Sequence, residues 1–137
     1  MSESAILAAP RLAAKQIIIA IASGIVLWFA AALLLRFLGE AGMLEQGNMA
    51  LIYALIIPGT MPFVYLIRII ASIQPGQLGP ALAIATAAAA LCDGTALIWF
   101  PYLYGETIEI VAISGASILW GAGVAIVLGF VLDQRSN

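Results

Sequence analysis

Four long apolar runs, each close to the length needed to cross a bilayer, leave this chain little prospect of folding in water. The first extends from Ile17 to Leu35. The second runs from Met49 to Ile67 and on to about Ala71, the third from about Pro80 to Phe100, and the fourth from Ile110 to Leu132. At 1.5 Å per residue, a helix of about 20 residues covers the roughly 30 Å hydrocarbon core. Composition agrees: 64% of the 137 residues are hydrophobic and 9% are charged, a balance that a soluble monomer could not bury. The expected fold is all-α: an integral membrane four-helix up-down bundle forming a single domain over residues 1–137. Its spans are expected at about 17–38, 49–71, 80–100 and 109–132, after a cytoplasmic leader over 1–16.

Arg11 and Lys15 ahead of the first run resemble the start of a signal peptide. That run is longer than a typical signal core and no small-residue cleavage site follows it, so it reads as a retained anchor. Ser4 to Ala14 read equally as a short surface helix or as a disordered leader. The connections at Gly39 to Asn48, Ser72 to Gly79 and Pro101 to Glu109 are short, which predicts consecutive helices lying antiparallel beside one another. No repeat relates the first helix pair to the second.

Arg11, Lys15, Arg68 and Arg135 fall at one end of such a bundle, and Glu40, Glu45, Glu106 and Glu109 at the other, with Arg36 the exception. Basic residues near span ends tend to stay cytoplasmic, so both termini are expected there. The net charge of -2 offers no basic stripe for phosphates, which argues against nucleic acid. There is no histidine and one cysteine, Cys92. No metal site, cofactor or catalytic constellation is expected, and the reading is non-enzymatic.

Asp93 is the most informative residue, because an ionisable group within a span is costly unless paired, protonated or hydrated. Its neighbours at helical spacing, Ala89, Ala90, Ala96 and Leu97, are mostly small. Judged by depth, Arg36 can reach inward to form an intramembrane ion pair or ion-coupling site with Asp93. Alternatively, Arg36 snorkels to the headgroups or pairs with Glu40 one turn on.

Pro58-Gly59-Thr60-Met61-Pro62 predicts a kink or break in the second helix, since each proline removes a backbone donor. Pro58, Gly59, Thr60 and Pro62, with Thr95 near Asp93, are the candidate cavity-lining or helix-break residues, although a kink re-satisfied by packing or by Thr60 explains the same residues. Ser114-Gly115-Ala116-Ser117 and Gly121-Ala122-Gly123 allow close helix approach, within the bundle or between copies. Trp99, Tyr102 and Tyr104 read as an interfacial aromatic belt.

Trp28 with Arg36-Phe37-Leu38-Gly39, Leu91-Cys92-Asp93-Gly94 leading to Phe100-Pro101, and Trp120-Gly121 together resemble a family of small uncharacterised bacterial four-helix integral membrane proteins, a domain of unknown function. The resemblance covers nearly the whole chain and implies a bacterial inner-membrane location. It carries no activity and therefore no functional residues.

Two functions remain. One is an interaction or accessory protein that works within the lipid bilayer as a homo-oligomer or as part of a larger membrane complex. The other is a small oligomeric proton- or cation-coupled transporter or channel using Asp93.

Overall fold

A computed structural model describes residues 10–135 as four helices: α1 at Ala14–Glu40, α2 at Met49–Ile70, α3 at Leu78–Trp99 and α4 at Ile108–Arg135. Short 3-10 turns at Gln46–Asn48 and Pro101–Leu103 precede α2 and follow α3. All four helices are long and apolar enough to cross a membrane. No strand occurs among the described residues. Most of the segment anticipated as a surface helix lies outside the described residues, and from Pro10 to Ala13 the chain is not helical.

The helix ends follow from local sequence. At the end of α1, Gly42 takes a positive φ of 72°, which allows Met43 N–H to donate to the Leu38 carbonyl at 2.9 Å. The same closure ends α2, with Ile73 N–H donating to Arg68 O at 3.0 Å. There the left-handed position is held by Ser72 at φ 49°. Both satisfy carbonyls that a helix C-terminus would otherwise orphan. α3 stops two residues before Pro101, as expected for a chain entering a proline.

The packing order differs from the expected adjacency of consecutive helices. α3 is central, packed on both α1 and α4, and α2 leans on α4, while α1 and α2 touch only sparsely, as do α2 and α3. The cause is side-chain size. Gly24 of α1 lies against the Ala85 backbone of α3, so closely that a Cβ there would come within 2.1 Å of the Ala85 carbonyl oxygen. Gln16 meets Gln77 at the same sequence offset, so α1 and α3 run parallel. Gly129 and Phe130 of α4 meet Leu82 and Gly79 of α3, while Gly115 lies near Leu97, which makes that pair antiparallel. The bundle still alternates in direction. Small faces, rather than chain proximity, select the neighbours.

α2 is helical without interruption through Pro58 and Pro62. It is not unwound at the prolines, and the Thr60 hydroxyl donates to the Ile56 carbonyl at 2.7 Å within the same turn. Ser114 and Ser117 are buried, and a Cβ on Gly121 would contact Ile56, so much of the small-residue face of α4 is used inside the bundle.

The end carrying Arg11, Lys15, Arg68 and Arg135 is closed by a polar knot. Gln16 Nε2 donates to Gln77 Oε1 at 2.9 Å and to the carbonyls of Ala71 and Ser72, both at 3.2 Å. Gln77 Nε2 in turn donates to Arg11 O at 2.9 Å. Asp133, near the end of α4, accepts from Gly76 N–H at 2.7 Å and Gly79 N–H at 3.2 Å. It therefore caps the N-terminus of α3 from another helix, where free amides and the helix dipole favour a negative group. Gly76 is suited to the turn by its φ of 87°. Asp133→Ala is expected to cost about 0.5–2 kcal/mol, the usual range for a lost N-cap, in reversible unfolding in mixed micelles. An unchanged unfolding midpoint would show that Asp133 does not cap α3.

Candidate functional site

Asp93 sits on the buried face of α3, with 7% of its surface exposed. Its partner comes from the turn that follows its own helix. Leu103 N–H donates to Phe100 O and Tyr104 N–H to Pro101 O, both at 3.0 Å, and this 3-10 turn folds the chain back over the end of α3. Tyr104 is thereby carried into the bundle with no exposed surface. It belongs to a core formed by Ala32, Leu35, Leu44, Ile52 and Ala96.

The Tyr104 hydroxyl donates to Asp93 Oδ1 at 2.5 Å, and Trp28 Nε1–H of α1 donates to Tyr104 Oη at 2.9 Å. An indole N–H can only donate, so Trp28 occupies an acceptor position on the phenol and directs its single proton toward Asp93. The chain Trp28 to Tyr104 to Asp93 thus has one sense of donation and links α1, the α3–α4 turn and α3. Burial, followed by the hydrogen bond to Asp93, raises the Tyr104 pKa above the ordinary phenol value. The hydroxyl therefore keeps its proton and its role as donor.

Arg36 does not pair with Asp93. Its Nε meets Glu40 Oε1 at 2.9 Å, one turn on along α1, and its Nη1 donates to the Tyr102 carbonyl at 2.9 Å. Two features account for the correction. Glu40 and Tyr102 O lie at the end of the bundle, where a guanidinium avoids desolvation, and Tyr104 already satisfies Asp93. Arg36 instead clips the end of α1 to the α3–α4 turn.

Nor do the helix-break residues gather around Asp93. Pro58, Gly59 and Pro62 are on the exposed surface of α2, and a Cβ on Gly59 would meet nothing within 4 Å. Thr95 is exposed, with its hydroxyl bonded to the Leu91 carbonyl at 2.9 Å. Cys92 is half-buried. No group of three or more His, Cys, Asp or Glu residues suited to a metal ion occurs among the described residues.

Tyr104 departs from the interfacial belt expected of it. Trp99 and Tyr102 remain exposed, at 68% and 63%, as belt residues should be, whereas Tyr104 turns inward. The available signal was Pro101, whose helix stop reverses the chain within reach of Asp93. A groove at this end is lined by Leu97, Pro101, Tyr102 and Glu106 and does not include Asp93. No protein-family model, curated protein or solved structure matches this chain.

Proposed function

We propose that this chain is a small non-enzymatic interaction or accessory protein of the bacterial inner membrane, with both termini cytoplasmic, acting as a homo-oligomer or within a larger membrane complex. The observation that carries this reading is the Tyr104 hydrogen bond to Asp93. It gives the intramembrane acid a structural use in joining α3 to the turn and, through Trp28, to α1. The outward placement of Pro58, Gly59, Pro62 and Thr95 supports the same view, since a transport path through Asp93 would draw on them. Support for the orientation comes from Arg11, Lys15, Arg68 and Arg135 at one end of the bundle. The bacterial location rests on the sequence resemblance alone.

The competing reading is proton- or cation-coupled transport through Asp93, favoured by the presence of an acid within a span. Proteoliposomes loaded with a pH-sensitive dye separate the two. The interaction reading expects proton flux no greater than in protein-free vesicles, for wild type and Asp93→Asn alike. Wild-type flux that disappears in a folded Asp93→Asn variant would overturn it.

A further inference from the structure

Sparse contact between α1 and α2 leaves a groove of about 380 Å³ between them. Ile19, Val26 and Ala30 line it from α1, and Phe63, Leu66 and Ile70 from α2. Along α1, Ile19 to Ala30 spans roughly 17 Å, about half of a 30 Å hydrocarbon core and so close to one leaflet. An acyl chain of one leaflet, laid along α1, matches that length.

Charge indicates what is attached to that chain. Lys15 is exposed and lies one turn before Ile19, on the face of α1 that continues through Ala22 and Val26. Arg11, also exposed, precedes it, with its backbone carbonyl held by Gln77. The groove therefore begins at a cationic, headgroup-level end and continues as an apolar channel of one-leaflet depth. We infer that this groove holds one acyl chain of an anionic phospholipid, with the phosphate against Lys15. The inference does not depend on the function proposed above.

Native mass spectrometry of the purified full chain after exchange into detergent with phosphatidylglycerol or phosphatidylcholine of matched chains tests it. Wild type should retain one phosphatidylglycerol in preference to phosphatidylcholine. Lys15→Gln, at an exposed position, should lower that preference about fivefold, the effect expected for one basic residue near an anionic surface. Ala22→Trp, which fills the groove, should abolish retention of both lipids while the chain stays folded by circular dichroism. If Ala22→Trp fails to fold, the Lys15→Gln comparison decides. Equal retention of the two lipids, a preference unchanged by Lys15→Gln, or disulfide cross-linking between copies through Ala22→Cys would each overturn the proposal. The last result would place a second copy in the groove.

Discussion

Gly24→Leu should lose about 3 kcal/mol or more of stability in reversible unfolding in mixed micelles, with α1 displaced from α3. A Cβ at Gly24 would stand 2.1 Å from the Ala85 carbonyl oxygen, 2.9 Å from its carbon and 3.0 Å from its Cα. All three are backbone atoms of the central helix and cannot rotate aside. Overpacking of a close interface ordinarily costs about 1–3 kcal/mol, and a branched side chain meeting backbone belongs at the upper end. Gly59→Leu provides the control, because nothing lies within 4 Å of a Cβ there. It should unfold within about 0.5 kcal/mol of wild type. Equal effects at the two positions would show that α1 and α3 do not approach as described.

Tyr104→Phe should cost about 2 kcal/mol. The substitution keeps the buried ring but removes the acceptor for Trp28 and the donor for Asp93, so two hydrogen bonds are lost together. Hydrogen bonds between helices in membranes average about 0.6 kcal/mol and reach about 1.7, because the separated helices find other partners. Two losses at one fully buried group therefore exceed the single-bond average. Tyr102→Phe, at an exposed residue, should change stability by less than about 0.5 kcal/mol. Similar losses for the two variants would remove the distinction between the inward and outward tyrosines.

The spans, the break at Pro101 and the segregation of basic and acidic residues were legible because each depends on a local run or a single residue type. The packing order was not. Ala81 and Ala85, which are buried in the α1–α3 contact region, look like any other stretch of an alanine-rich helix until Gly24 is set beside them. Depth along the membrane placed Arg36 within reach of Asp93, but depth carries no information about rotation around a helix axis. It also did not reveal that Tyr104 reaches back from the turn. Tyr102 and Tyr104 have the same local chemistry, and two residues of 3-10 turn decide which one enters the core. Asp133 follows the last apolar run and, in sequence, resembles an ordinary polar terminus. Its role becomes visible only when α4 is aligned with the start of α3, whose N-cap residue Gln77 makes no side-chain cap of its own.

A pair of double-mutant cycles distinguishes Tyr104 from Arg36 as the partner of Asp93. Unfolding free energies should be measured for Asp93→Ala and Tyr104→Phe, singly and together, beside the matching set for Asp93→Ala and Arg36→Gln. The first cycle should be non-additive by about 1 kcal/mol, and the second additive to within about 0.5 kcal/mol. Additivity between Asp93 and Tyr104, or coupling between Asp93 and Arg36, would contradict the structure proposed for this site.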